Sequence, residues 1–242
     1  MAYHRRKNKK RYFRDVEYED VKSWSLHDLA EIRPLTTAQE EMFQSFYDGQ
    51  HLVAYGSAGT GKTFIALYLA LTSLLHSKAK INNITIVRSA VQSRDIGFTP
   101  GTLEEKQSIY ENPYRDIFWE LIGHGSTYDD MKKQGLVTFT TSSVVRGLTW
   151  ANSIIIIDEI QNFSFGEIHS CMTRVGDHSR VIALGDTAQN DLLRKKNEES
   201  GMEKFLKVMK KVGNTKIVQF TRDDIVRSGF CKAWIIAMEE IE

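Results

Sequence analysis

Nowhere in this 242-residue chain does an apolar stretch approach the roughly 18 residues needed to cross a bilayer, and no apolar segment backs the charged amino terminus as a secretion signal requires. A cytoplasmic protein with no membrane partner is expected. Cysteine is scarce: Cys171 and Cys231 cannot make a disulfide framework, and His169, Cys171 and His178 lack any familiar zinc-ligand spacing. Internal repeats and low-complexity linkers are missing too. So is the Asn-Lys-x-Asp tetrapeptide that reads guanine, at least in the part expected to fold. What remains is a length suited to one α/β domain with a large core and little room for a second.

Charge is present but unevenly placed. Of the 32 Lys and Arg, seven lie within the first 14 residues, where there is no acid, so the rest of the chain is net acidic despite the overall charge of +1. Residues 1–20, basic and then acidic, read as an arm, and 21–242 as the folded domain. Such an arm holds a phosphate backbone by counterion release or is simply a solvated tail.

The segment Gly56-Ser57-Ala58-Gly59-Thr60-Gly61-Lys62-Thr63 is a complete phosphate-binding loop. Glycines at this spacing let successive backbone N–H groups turn inward around a polyphosphate, and the helix that follows aims its positive dipole end at the same charge. Lys62 then reaches the β and γ phosphates, and the Thr63 hydroxyl meets the bridging Mg²⁺. The context agrees. An apolar strand at 52–55 precedes the loop, and the apolar run 64–75 is too long for a strand and reads as a buried helix.

Further strands are expected at 84–87, 137–140, 154–157, 181–184 and 217–220, several of them apolar without alternation, as in a parallel sheet buried on both faces. Before the first strand, Met42, Phe43, Phe46 and Tyr47 fall at helical spacing within 37–47. Capping-box pairs open three more helices: Thr102 with Glu105, Ser164 with Glu167, and Ser200 with Glu203. The last of these carries Met202, Phe205, Met209 and Val212 on one stripe and stops at Gly213. Alternating strands and helices predict a doubly wound, mainly parallel α/β sheet flanked by helices in a single domain.

The apolar strand at 154–157 ends in Asp158 and Glu159. Asp158 at the strand tip suits the Mg²⁺ shell, and Glu159 suits the orientation and deprotonation of a water in line with the γ-phosphate. A kinase would use that position to activate a substrate hydroxyl. The next strand delivers Gly185-Asp186-Thr187-Ala188-Gln189-Asn190-Asp191 to the same carboxyl edge, where ligands of open α/β sheets bind. Gln189 suits contact with the γ-phosphate or the attacking water. Gln39 lies 17 residues before Gly56, where its amide can pair with an adenine edge or be an ordinary exposed glutamine. With no guanine motif, ATP is the expected nucleotide.

Together these motifs resemble the first RecA-like domain of superfamily 1 helicases, and more closely the PhoH-like family of P-loop ATPases. Arg88, followed later by Gly97-Phe98-Thr99-Pro100-Gly101, looks like that family's characteristic loop. Arg146-Gly147-Leu148-Thr149 and Asp224-Ile225-Val226-Arg227-Ser228 match two more of its signatures. The resemblance covers roughly residues 34 to 230. Two departures stand out: Ser89 to Arg94 replaces the family's more usual Ala-Gly-Glu, and no RNA-binding or nuclease-like domain is appended. The short form is similar to those encoded by bacteriophages, which would place the protein in a bacterial host's cytoplasm.

The resemblance implies Mg²⁺-dependent ATP hydrolysis linked to single-stranded nucleic acid, RNA in particular, with helicase-type activity, and a homo-oligomeric ring, a hexamer. Loop residues Arg88, Arg94, Ser143 and Arg146 are the nucleic-acid candidates, although such arginines also pair with local carboxylates. A two-lobed helicase closes ATP between lobes, and the 51 residues after Asp191 are too few for a second one. A neighbour in a head-to-tail ring would complete the site. Arg227, family-matched, and Arg222 are the arginines that would stabilise the transferring phosphate, in their own site or the next. Two rival readings are a phosphotransferase acting on a small molecule and an ATP-binding assembly module without turnover.

Overall fold

A computed structural model describes residues 23–76, 78, 80–89, 103–186 and 201–241, the side chains of 103–107 excepted. Six strands form one sheet: β1 (His51–Gly56), β2 (Asn83–Arg88), β3 (Val137–Thr141), β4 (Ser153–Ile157), β5 (Arg180–Gly185) and β6 (Thr215–Phe220). Their spatial order is β3-β2-β4-β5-β1-β6, and every pairing is parallel. This is the doubly wound sheet that the run of strands and helices predicts. All strand carboxyl ends therefore lie on one edge, with β5 between the phosphate-loop strand β1 and the Asp-Glu strand β4.

Burial on both faces explains why the central strands are unbroken apolar runs. In β4, Ile154, Ile155, Ile156 and Ile157 are each fully buried, and each such side chain contributes about 1.5–3 kcal/mol. Ile154 and Ile156 pack with helices α1 (Thr37–Tyr47), α2 (Lys62–Leu75), α3 (Leu103–Ile122) and α4 (Thr127–Lys133). Ile155 and Ile157, of opposite pleat, pack with α5 (Phe165–Met172) and α6 (Met202–Met209). Edge strand β6 differs: Val218 and Phe220 are buried while Gln219 between them is exposed.

The expected helix over 37–47 is present, opened by the Thr36 hydroxyl accepting from the Gln39 N–H. Met42, Phe43 and Phe46 enter the core, but Tyr47 stays 60% exposed, its ring edge-on to Phe43 and Phe46. The Ser164–Glu167 capping box is formed at α5. Thr102 and Ser200 lie outside the described residues. In α6 the stripe holds for Met202, Phe205 and Met209 but not for Val212, because the helix ends at Met209 and Val212 is exposed in the turn before β6. A final helix, α7 (Gly229–Ile241), follows β6 and buries none of its residues. Among the described residues no helix is long and apolar enough to cross a membrane.

Candidate active site

The phosphate loop is shaped by backbone that only glycine adopts readily. Gly56, Gly59 and Gly61 have φ of +126°, +70° and +80°. A Cβ on Gly56 would lie 1.8 Å from the Phe220 carbonyl oxygen, so β6 approaches too closely for any side chain there. Ser57 N–H donates to that same carbonyl, and the Thr60 hydroxyl donates to Ser57 O. Gly61 is the N-cap of α2, with no side-chain cap and no acid in the first turn, so the helix directs uncapped donors toward the loop.

Lys62 Nζ sits inside the loop, donating to Gly56 O at 2.9 Å, Ser57 O at 2.7 Å and the Thr60 hydroxyl at 3.2 Å. Burial lowers its pKa, an effect opposed by the nearby carboxylates of Asp186, Glu159 and Asp158. Those three acids come from the tips of β4 and β5, so the strand ends expected to share a ligand do converge.

At the tip of β4 the two acids are handled differently. Asp158 is buried, and its Oδ1 accepts from the Thr63 hydroxyl at 3.3 Å and from the Glu159 N–H at 3.1 Å. Its Oδ2 accepts from the Tyr114 hydroxyl at 2.8 Å. Glu159 takes left-handed backbone, φ +56° and ψ +48°, an uncommon conformation for a residue with a side chain. Burial and the Asp158 charge raise its pKa, while a hydrogen bond from Gln161 and the charge of Arg88 oppose that shift. Gln161 is buried and doubly engaged: its Nε2 donates to Glu159 Oε2, and its Oε1 accepts the Asp186 N–H at 2.9 Å.

A cavity of about 500 Å³ opens over this arrangement, lined by all of 58–65 together with Asp158, Glu159, Asp186, Gln39 and Arg227. Gln39 is not the exposed glutamine of the alternative reading: it is 2% exposed, donates from Nε2 to Thr60 O at 3.0 Å and accepts from the Leu35 N–H at 2.8 Å. Arg227 belongs to the segment after β6 that packs on the loop of its own chain. Val226 N–H donates to Gly59 O, and the Arg227 Cγ lies 2.9 Å from where a Gly59 Cβ would be. Arg222 is elsewhere, its guanidinium 3.4 Å from Glu240 on α7.

The nucleic-acid candidates divide. Arg88 ends β2, with its guanidinium carbon 5.9 Å from the centroid of the Tyr110 ring. Burial works against its charge, but Tyr114, Asp158 and Glu159 more than compensate and its pKa is raised. It thus faces the β4 tip. Ser143 and Arg146 are exposed in the loop after β3, where the Ser143 and Thr141 hydroxyls lie 2.9 Å apart. Arg94 and Gln189 lie outside the described residues.

The donor set fits a magnesium-bound triphosphate: a glycine-shaped loop that opens into the uncapped start of α2, one lysine, and a hydroxyl paired with a single carboxylate, the hard oxygen ligands that Mg²⁺ takes. Two contributors escape sequence reasoning. Gln161 lies two residues beyond Glu159, yet its role depends on Asp186, which only the β4-β5 pairing brings near. Tyr114 is 44 residues from Asp158 and carries no signal of its own.

Residues 31–239 match the family described as PhoH-like protein. The chain is 30% identical over 207 residues to Protein PhoH of Escherichia coli (strain K12), covering 85% of this chain and 57% of that protein. It is 28% identical over 212 residues to a PhoH-like protein of Synechocystis sp., covering 87% and 63%. The chain therefore spans about three fifths of the length of these relatives. Among solved structures, the Hef helicase domain of Pyrococcus furiosus is similar over 77% of this chain and 38% of that one, with a TM-score of 0.45 and 15% identity. With its span from 31 to 239 matched, this chain of parallel sheet and P-loop belongs to the PhoH-like protein family.

Proposed function

We propose that this chain hydrolyses ATP with Mg²⁺ and couples the reaction to single-stranded nucleic acid, RNA in preference to DNA. One observation carries the hydrolytic half: Lys62, the Thr63–Asp158 hydrogen bond and the half-buried, Gln161-held carboxylate of Glu159 all border one cavity. The glycine loop and Lys62 bind and orient the phosphates. Thr63 and Asp158 would hold Mg²⁺, which when bound neutralises phosphate charge. Glu159, its proton affinity raised by burial, takes a proton from a water aligned with the γ-phosphate. Gln189, three residues beyond Asp186 in the chain, responds to that phosphate. Gln39, at the cavity wall and tied to Thr60, serves adenine recognition.

Arg227 serves the nucleotide of its own chain, a reading supported by its packing against Gly59, and Arg222 is held away by Glu240. A neighbouring subunit covers the open side of the site. Phe230, Trp234 and Met238 support assembly, since they leave an exposed apolar stripe on α7, whose Ile235 packs toward the phosphate loop. For the nucleic acid, support comes from Arg146 and Ser143, exposed at the same carboxyl edge as the site, and from the basic arm.

Phosphate release measured with and without single-stranded RNA, with Glu159→Gln as the control, tests this reading. RNA-stimulated release that Glu159→Gln abolishes is expected. Release only with a small-molecule acceptor, or none at all, overturns it. Mixing Lys62→Ala with Arg227→Ala chains tests the arginine: recovered activity would show that it acts on the neighbour's nucleotide.

A further inference from the structure

Helix α3 reaches the edge of the active site with two tyrosines one turn apart. Tyr110 lies beneath the Arg88 guanidinium at the tip of β2, and Tyr114 donates to Asp158 at the tip of β4. Tyr114 is fully buried, and its ring packs against Phe139 of β3 at 5.9 Å between centroids. Its position is thus fixed by the core. Its hydroxyl is the donor, 2.8 Å from Asp158 Oδ2.

The consequence for Asp158 is asymmetric. Oδ2 faces Tyr114, whereas Oδ1, which also accepts the Glu159 N–H, faces the Thr63 hydroxyl at the start of α2. A carboxylate free to turn can offer both oxygens to a cation; this one is held against turning. We propose that Tyr114 is a positioning residue that sets cation preference: by engaging Oδ2 it leaves Asp158 a single oxygen, Oδ1, to offer beside the Thr63 hydroxyl, which favours Mg²⁺ over Ca²⁺. The chemistry follows from the two ions. Mg²⁺ is small, demands near-octahedral geometry, keeps several waters and takes one or two carboxylates, while Ca²⁺ accepts six to eight oxygens and readily takes a carboxylate through both. A hydrogen-bond donor on the second oxygen therefore penalises the larger ion. Partners of this kind behind a metal ligand typically alter metal affinity by about 10- to 100-fold.

The inference rests on the reading that Thr63 and Asp158 hold the cation, and its test needs no turnover. Binding of a fluorescent ADP analogue is followed at equilibrium while Mg²⁺ or Ca²⁺ is added to the wild-type chain and to Tyr114→Phe, with an EDTA arm for nucleotide alone. In Tyr114→Phe the Mg²⁺ concentration for half-maximal tightening should rise about tenfold. The Ca²⁺ value should change far less, and binding in EDTA should be retained. Equal shifts for both cations, or none, overturn the proposal while leaving the cation site standing. A wild-type chain whose nucleotide binding ignores both cations overturns the site itself, and this inference with it. Should Tyr114→Phe lose nucleotide binding in EDTA, p-aminophenylalanine at position 114 keeps the ring and a weaker donor. A smaller, Mg²⁺-selective rise is then expected, and an unchanged Mg²⁺ value would overturn the role of the hydroxyl.

Discussion

The carboxyl tips of β1 and β4 sit on either side of β5 and border one cavity, yet they are built in opposite ways. The β1 tip is a run of consecutive residues whose shape comes from backbone: three glycines at positive φ, and a lysine whose ammonium donates to two carbonyls of its own loop. The β4 tip is shaped by side chains gathered from across the chain, with Thr63 from α2, Tyr114 from α3 and Gln161 reaching to Asp186 after β5. A site made from backbone tolerates almost no change of residue at its glycines. One made from side chains loses function in graded steps, each tied to one contact.

The largest expected effect is on the backbone side. Gly56→Ala combines φ of +126° with a Cβ 1.8 Å from the Phe220 carbonyl oxygen, and β1 and β6 pair through that very position. Neither strand can yield without breaking the ladder, so a loss of about 4 kcal/mol or more is expected in urea unfolding, or no soluble protein at all. Gly147→Ala is the contrast: φ is +86°, nothing lies within 4 Å of the added carbon, and only conformational strain of about 1–2 kcal/mol is expected. Equal losses for the two would show that close approach of β6 is not what fixes the loop.

On the side-chain side, Glu159→Gln should keep fold and nucleotide affinity while turnover falls by roughly 10²–10⁴ in steady-state phosphate release. A fall in binding equal to the fall in turnover would mean that Glu159 shapes the pocket and moves no proton. Gln161→Ala should cost less, about tenfold in turnover, because it removes a hydrogen bond to the Glu159 carboxylate and leaves the Asp186 N–H without that acceptor. Were Gln161→Ala as damaging as Glu159→Gln, the two residues would act as one unit.

The same contrast explains what could be read from sequence. Backbone-built features are local, so the phosphate loop is legible in eight consecutive letters and its flanking strand and helix in the apolar runs on either side. The central strands are legible because burial on both faces leaves unbroken apolar runs, as in Ile154 to Ile157. Asp158 and Glu159 stand out as acids at the end of such a run. Their partners do not, because the Tyr114–Asp158 bond spans 44 residues and depends on how α3 docks. Val212 misleads for a related reason: its spacing continues the α6 stripe, but the chain has already left the helix after Met209.

The smallest expected effect lies at the far end of β1, where His51 separates stability from catalysis. Its Nδ1 accepts the Val181 N–H at 3.1 Å across the β1-β5 edge. Burial, helped by the charge of Arg180, lowers its pKa below the ordinary value, so the folded chain holds the neutral ring. Above about pH 6.5 both folded and unfolded chains have neutral His51 and its contribution is complete. As pH falls below that value the unfolded chain takes up a proton that the folded chain resists, and stability is lost until the lowered pKa is passed. Thermal melts from pH 7.5 to 5 should therefore show a fall that His51→Gln makes shallower. Since the ring is partly solvated, the difference should be at most about 2 °C. Turnover at pH 7.5 should be unaltered, because the contact sits at the opposite end of the strand from Gly56. A change in turnover there would mean that the two ends of β1 are coupled and that the loop is not shaped by its local backbone alone.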